Sequence, residues 1–334
     1  MATGRRVASE EALIQTYFAP LAAAFPGAYG LIDDCASLNA PPGEDLVLTT
    51  DAVAEGVHFL ADDSPEDVAW KALAVNVSDL AAKGARPIAY LMALAFSEAP
   101  ETAWLEGFAR GLGAAQERFG ISLAGGDTDR RAAPLAITIT AIGTVSAGCM
   151  VRRATAKAGD RLFVSGTLGD GAVGVKLRRN PSLAATWGLD DANAQALVAR
   201  YLRPEPRLGL REALLRSASA ALDISDGLAK DAGHLANASG LGAILHGAAV
   251  PLSAPLRRAL ADAPELFTDV ISGGDDYEVL AAVSPETCED YKRAALAAGV
   301  PVTEIGALSA GEGVAVEDRE GRVMRLKSRG WEHF

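Results

Sequence analysis

The stretch "LVLTTDAVAEGVHFL" (Leu46–Leu60) starts as a β-rich run and leaves it on an acid, Asp51, with His58 close behind. A strand needs neither side chain. Asp79 stands in "NVSDLAAKGARP", Asp33 and Asp34 form a pair upstream, and Asp127 and Asp129 follow in "LAGGDTDR". Carboxylates thus recur at the ends of short apolar segments. These segments decide the fold class, because strand-like and helix-like patterns interleave around them, as in a mixed α/β chain.

Downstream of Leu60, Ser64-Pro65-Glu66-Asp67 reads as a helix start. Ser64 can cap, Pro65 suits the first turn, and Asp67 completes a capping box. The helix runs to about Lys83 and stops near Gly84, with Trp70, Leu73, Val77 and Leu80 as its buried stripe. Asp79 lies off that stripe, facing either water or a shared pocket. "IAYLMALAFS" is a buried strand, "ETAWLEGFARGLGAAQERFG" a helix closed by Gly120, and "ISLAGG" a short strand into a turn. "LAITITAIGTV" alternates at period 2, as a half-buried strand does. Upstream, "EEALIQTYFAPLAAAF" reads as a helix up to Pro26. "SAGCMVRRATAKAGD" has no clear period and is the crossing segment, which divides the chain into domains 1–148 and 149–334. In the second, "RLFV", "SAALD", "GAILHG" and "YEVLAAVS" are strands. Helices are expected near 190–202, 207–216 and 226–238 and over "SPETCEDYKRAALAAG"; the tail resembles a hairpin around "REGR".

The chain has 334 residues, enough for two cores, and its 49% apolar share excludes a disordered polymer. A formal net charge of −12 with no basic stripe argues against nucleic acid. Three scattered cysteines without a CxxC pair argue against a disulfide scaffold. No signal-peptide core or membrane-length apolar run is present, so the expected setting is the cytoplasm, with no membrane partner.

An isolated Asp at a strand exit is ordinarily a turn residue or a cap. A set is harder to dismiss, because ionised carboxylates share a pocket only when cations compensate them. Oxygen ligands without thiolates favour Mg²⁺, which also binds phosphates. An acidic site would thus take a polyphosphate through metal, and phosphoryl transfer needs mainly alignment and neutralised charge. "SGTLGDGAVG" (Ser165–Gly174) is glycine-rich but matches neither common phosphate-loop pattern. In "LDISDGLAKDAGHL", Asp223 ends a strand and Ser225 or Asp226 can cap the next helix, whose N–H groups would suit an anion. "SGGDDYEVL" repeats the order of glycine turn, acids and strand. His234 reads as a helix-face residue and His246 as structural, while His58 is open to either reading.

These motifs together resemble the thiamine-monophosphate kinase family, in the superfamily of aminoimidazole ribonucleotide synthetase and selenophosphate synthetase. The resemblance runs from about residue 10 to the terminal "GWEHF" (330–334), through "DDCA", "LTTDAVAEGVHF", "KALAVNVSDLAAKGARP", "LAGGDTDR", "AKAGD", "SGTLGD", "LDISDGL" and "SGGDDYEVL". It implies a two-domain, PurM-like mixed α/β architecture. The implied reaction transfers the γ-phosphoryl group of ATP directly to thiamine monophosphate with Mg²⁺, in a homodimer paired through its N-terminal sheets. The N-terminal domain would bind metal and ATP, and the C-terminal domain would contribute to nucleotide and substrate binding. Residue by residue, it assigns Asp33, Thr49, Thr50, Asp51, Asp79 and Asp127 to the metal cluster, with Asp223 and Asp226 added from the second domain. Gly126, Asp127, Arg153 and Ser225 match nucleotide positions, and His58, Asp275 and Trp331 match positions at the thiamine end. Asp51, Asp79, Asp127 and Arg153 are the expected catalytic group. The planar fork of Arg153 matches phosphate oxygens, and Trp331 offers a face to a cationic ring.

The chain departs from the family in Ile32, where a glycine is usual, in Asp275, where glutamate is usual, and in Asp129, where threonine is commoner. These changes are expected to tune the reaction. Selenophosphate synthetase is the nearest rival, but its glycine-rich N-terminal segment with a reactive cysteine has no counterpart here. A non-catalytic divalent-ion scaffold would carry acids without ordered nucleotide and substrate motifs.

Overall fold

The computed structural model describes residues 6–318, 320–326, 328 and 330–332. The chain forms two compact units, one of residues up to Leu80 with Ala85–Gly148, the other of Ala81–Gly84 with the residues from Cys149 on.

The first unit opens with α1 (Glu10–Leu13), a π-helical turn over Ile14–Phe18, α2 (Ala19–Ala22) and a 3-10 turn over Pro26–Leu31. One continuous helix was expected there. Pro20 has no N–H to give the α ladder, and the chain adjusts by widening the preceding turn. β1 (Glu44–Ala54), α3 (Pro65–Ala82), β2 (Arg86–Phe96), α4 (Thr102–Phe119), β3 (Ser122–Arg130) and β4 (Ala136–Ser146) follow. The sheet order is β1-β4-β2-β3, antiparallel except for the β2–β3 pair, which α4 connects. The Ser64 hydroxyl accepts the Asp67 N–H at 3.1 Å and donates to the Asp67 carboxylate at 2.8 Å, so the cap forms where its residues predict it. α3 is buried nearly all round, which its apolar run "VAWKALAVNV" requires. β3 extends beyond "ISLAGG" to Arg130, because it stays paired with β2 as far as Phe96. Gly126 makes this possible: a Cβ there would lie 1.9 Å from the Met92 carbonyl oxygen.

In the second unit a six-stranded sheet runs β10-β7-β9-β5-β8-β6. Its strands are β5 (Arg161–Ser165), β6 (Ala218–Ile224), β7 (Gly242–His246), β8 (Glu278–Val283), β9 (Val302–Ser309) and β10 (Val314–Glu317). Its helices are α5 (Asp170–Arg179), α6 (Leu183–Thr186), α7 (Asp191–Leu202), α8 (Arg211–Ser217), α9 (Leu228–Ala238), α10 (Ala254–Asp262), α11 (Phe267–Ser272) and α12 (Cys288–Ala297). One face of the sheet packs Leu162, Val164, Leu222 and Leu280 against Leu228, Leu235 and Val270 of the helices. β10 pairs in parallel with β7, and the expected tail hairpin reduces to a single antiparallel bridge, Glu317 to Val323.

Candidate active site

β1 pairs with β4 without a register shift, so Thr49 and Asp51 share one face while Thr50 takes the other. Asp51 lies opposite Ile139, which lies opposite Met92; both are buried, which marks this face as the helix side. The N–H of Asp51 points away from β4 and donates to Oδ1 of Asn76 on α3 at 2.9 Å. Asn76 is fully buried and donates in turn to the Ala72 carbonyl at 3.1 Å. Half-buried Asp79, one turn on, accepts the Thr49 hydroxyl at 2.5 Å through Oδ2. Thr49, Asp51 and Asp79 therefore gather on the helix side, with the Asp51 carboxylate exposed. The Thr50 hydroxyl serves the sheet instead, donating to the Ile139 carbonyl and accepting from Thr140, both at 3.1 Å.

Asp127 lies on the opposite face. It pairs with Ala93, which pairs with Thr138 and, through that, with Ala52. That face bounds a cavity of about 690 Å³ whose walls include Asp127, Gly126, Asp33, Asp34, Leu91 and Thr138. The sheet thus divides the sequence-predicted acids of the first unit between its two sides. Nδ1 of His58 accepts the Ala54 N–H at 3.0 Å, which leaves the proton of the neutral ring on Nε2.

In the second unit, Asp223 is half-buried near the end of β6, opposite Val279. The loop before β8 is tied to the end of β6: Asp275 N–H donates to the Ser225 carbonyl at 3.0 Å and Tyr277 N–H to the Ile224 carbonyl at 2.8 Å. Asp275 and Tyr277 both hold left-handed backbone, at φ 69° and 52°, a cost that persists only where neighbours over-determine the turn. The Tyr277 hydroxyl donates to Oδ1 of Asp275 at 3.2 Å. Asp276, between them, turns inward and accepts the Gly169 N–H at 2.9 Å on both oxygens. Burial pushes its carboxyl well above the usual range, against the pull of the Gly169 bond. Next in the chain, fully buried Glu278 pairs with Arg200 at 2.9 Å and with Arg207, and accepts the Ser165 hydroxyl at 2.6 Å. These contacts tie "SGTLGD" to "GGDDYE" beneath Asp275.

The start of α9 differs from expectation. Neither Ser225 nor Asp226 caps it; the N-cap position is Gly227, at φ 117°. The N–H groups of Asp226 and Gly227 instead reach back to Oδ2 of Asp231, at 3.0 and 3.1 Å. Those donors are committed and do not await an anion. Burial, then the nearby Asp226 charge, raises the Asp231 carboxyl to about 7. Asp226 pairs with Lys230 at 2.8 Å. Asp226, Asp231 and His234 form the only trio of possible metal-ligating groups within 4.8 Å among the described residues, yet the first two already serve Lys230 and the backbone. Ser225 is half-buried, and Arg153 is exposed, with its carbonyl accepting the Ser239 hydroxyl at 3.1 Å. Trp331 is 49% exposed, with its N–H on the Asp226 carbonyl at 2.9 Å. His333 and Phe334 of "GWEHF" lie outside the described residues.

Sequence reasoning passed over Asn76, Lys230, Asp231 and Tyr277. Only Asn76 left a usable signal, as an amide inside an apolar helical run three residues before Asp79. The donors gathered on the helix side, Thr49, Asp51 and Asp79, are all oxygen, and that chemistry fits a hard divalent cation. No described helix is long and apolar enough to cross a membrane.

The family described as AIR synthase related protein, N-terminal domain, matches residues 32–145, and its C-terminal counterpart matches 157–319. Thiamine-monophosphate kinase of Caulobacter vibrioides is 44% identical over 318 residues, covering 94% of this chain and 88% of that protein. The Salmonella typhimurium enzyme is 41% identical over 307 residues, covering 91% of each. Among solved structures, thiamine-monophosphate kinase from Stenotrophomonas maltophilia superposes with a TM-score of 0.79 at 38% identity, covering 88% of this chain and 91% of that one. AaThiL complexed with AMPPCP and TMP gives 0.76 at 33%, covering 92% and 97%. Matched across both halves and over nearly the whole length of these relatives, the chain belongs to the thiamine-monophosphate kinase family.

Proposed function

We propose that the chain transfers the γ-phosphoryl group of ATP to the phosphate of thiamine monophosphate, giving thiamine diphosphate and ADP. The observation that carries this reading is its likeness, over 92% of its length, to AaThiL complexed with AMPPCP and TMP. A phosphate oxygen of thiamine monophosphate, ionised near neutral pH, attacks the γ-phosphorus. The bond from that phosphorus to the β,γ-bridging oxygen breaks, and its electron pair leaves with ADP. No proton has to move, so one in-line displacement suffices without a phosphorylated protein.

The obstacle is repulsion between two phosphates in an acidic protein of net charge −12. Mg²⁺, when bound, neutralises that charge and orients the phosphate oxygens. On the helix side of the first unit's sheet its proposed ligands are Thr49, Asp51 and Asp79. Asp33 and Asp127, at the cavity of the opposite face, and Asp223 in the second unit are proposed to hold ions of their own. Thr50 and Asp226, matched to the same cluster by resemblance, are committed to the sheet and to Lys230. Gly126, Asp127, Arg153 and Ser225 are proposed for the nucleotide, where exposed Arg153 can fork onto phosphate oxygens. His58, Asp275 and Trp331 are proposed for the thiamine end. The first unit then binds metal and ATP, and the second adds nucleotide and substrate contacts. We place the protein in the cytoplasm as a homodimer joined through the first unit's sheet.

The test is conversion of thiamine monophosphate by the purified chain with ATP and Mg²⁺, read as thiamine diphosphate formed per ADP released. A one-to-one yield is expected, and ADP release without thiamine diphosphate overturns the proposal. ATP made chiral at the γ-phosphate should yield inverted configuration; net retention would require two displacements and defeat direct transfer.

A further inference from the structure

We infer that Lys230 is a positioning residue that docks the C-terminal tail, so that Trp331 stands fixed beside the Asp226 turn as part of the thiamine-binding surface. Three observations converge on it. First, Lys230 on α9 forms an ion pair with Asp226 at 2.8 Å, with side-chain exposures of 22% and 32%. Second, the same ammonium donates to the Trp331 carbonyl, while the Trp331 N–H donates to the Asp226 carbonyl at 2.9 Å. Both backbone groups of Trp331 are thereby held by the two residues of that pair, one through its ammonium and the other through its backbone carbonyl, which fixes where its side chain begins. Third, Gly330 leaves no slack: a Cβ there would lie 2.5 Å from Cβ of Lys230 and 2.6 Å from the Asp226 carbonyl oxygen. The tail sits directly on the first turn of α9, and only a glycine can pass at that point.

The indole remains half in solvent, at 49% exposure. A large aromatic side chain, anchored through its backbone and half exposed, presents part of its surface where a ligand can meet it. A cationic heteroaromatic ring is the chemistry such a face receives best. A tail ordered before the ligand arrives binds more tightly than one that must be ordered on binding. Lys230 supplies that order through a three-donor ammonium, which can serve the Asp226 carboxylate and the Trp331 carbonyl together.

The inference rests on the thiamine-site reading above, and its test separates the two. Lys230→Met keeps the aliphatic stem and helix propensity while removing the charge and the donor; Lys230→Arg keeps both. Gly330→Ala attacks the same contact from the tail. Amide exchange over the described tail residues 322–326, 328 and 330–332 is measured on the ligand-free protein, and calorimetry measures thiamine monophosphate and ATP separately. Lys230→Met and Gly330→Ala should speed tail exchange and weaken thiamine monophosphate binding by roughly tenfold, with ATP binding unchanged. Lys230→Arg should recover much of the loss, and Lys230→Met should add little to Trp331→Ala. Unchanged tail exchange in Lys230→Met overturns the docking role. Faster exchange with unchanged thiamine monophosphate binding, or a loss that adds fully to that of Trp331→Ala, overturns the link to the substrate. If the parent protein itself binds no thiamine monophosphate, the functional proposal fails and the substrate link with it, while tail exchange still decides the docking.

Discussion

Asp275 and Asp276 are neighbours with opposite fates: one is held half-buried at the turn of its loop, the other is sealed inside on the Gly169 N–H. No composition rule separates two adjacent aspartates, and only the packing of Gly169 and Glu278 does. The raised Asp276 carboxyl has a consequence for stability. A carboxyl whose folded value lies above its unfolded one costs nothing below the unfolded value of about 3.8, where it is protonated in both states. Stability then falls as pH rises from there toward the folded value. Asp276→Asn keeps an oxygen for Gly169 and removes the titration. Its urea midpoint should therefore gain on that of the parent as pH rises above the unfolded value of about 3.8. Parallel pH profiles would refute this. At the first unit, Asp51→Asn should leave the fold intact, because the Asn76 contact uses the backbone N–H. Turnover should fall roughly a hundredfold or more with the loss of a charged oxygen ligand. Near-parental turnover at limiting Mg²⁺ would remove Asp51 from the metal site.

Helices and strands were legible where local chemistry spoke alone, as at the Ser64 cap, the Gly120 stop and the period-2 alternation of β4. They were misread where a distant partner decided. β3 continues past its glycines because β2 holds it, and β9 escaped notice because its "VTEIGALS" carries little alternation. α9 looked self-capped, yet its leading N–H groups are satisfied by Asp231 from inside the helix. The candidate site was legible as a set of acids but not as a geometry, since a sequence does not reveal that Asp51 and Asp127 take opposite faces of one sheet. Replacing Asp231 with Ala strands two N–H groups and should cost about 2 kcal/mol, whereas Asn, which still accepts them, should cost less; equal losses would discount the bonds. The glycines of α4 make a sharper pair. A Cβ on Gly111 would lie 2.4 Å from the Glu66 carbonyl oxygen of α3, while one on Gly113 would meet only Leu21 at 3.5 Å. Thermal unfolding should show Gly111→Ala destabilised by about 1–3 kcal/mol and Gly113→Ala stabilised by about 0.5–1 kcal/mol. The same sign for both would mean that helix propensity, not the α3–α4 approach, governs the position.

At the scale of the whole molecule, the first unit's sheet has a helix-covered side and a partly open one. On the open side Leu48 is 62% and Leu91 40% exposed, with Thr50, Ala52 and Ala93 also exposed beside them. Leaving such a strip in water gains nothing, and a second copy is the partner most available to cover it. In a twofold pair every contact occurs twice, so two leucines per chain become four in the interface. Full burial of each is worth about 1.5–3 kcal/mol, which makes the strip a substantial share of the binding free energy. Leu48→Lys with Leu91→Lys should therefore convert a dimer to a monomer in sedimentation velocity at micromolar concentration. The far-ultraviolet dichroism should not change, because neither side chain belongs to the buried core. Loss of pairing also reports on catalysis. Leu91 lines the cavity beside Asp127, so turnover is read in Leu48→Lys alone. A monomer with unchanged turnover at low temperature means that pairing matters only for stability, and a fall in step with dissociation means that it shapes the site. A parent that sediments as a monomer would dispose of the homodimer, and a lysine variant that stays dimeric would move the interface to another face.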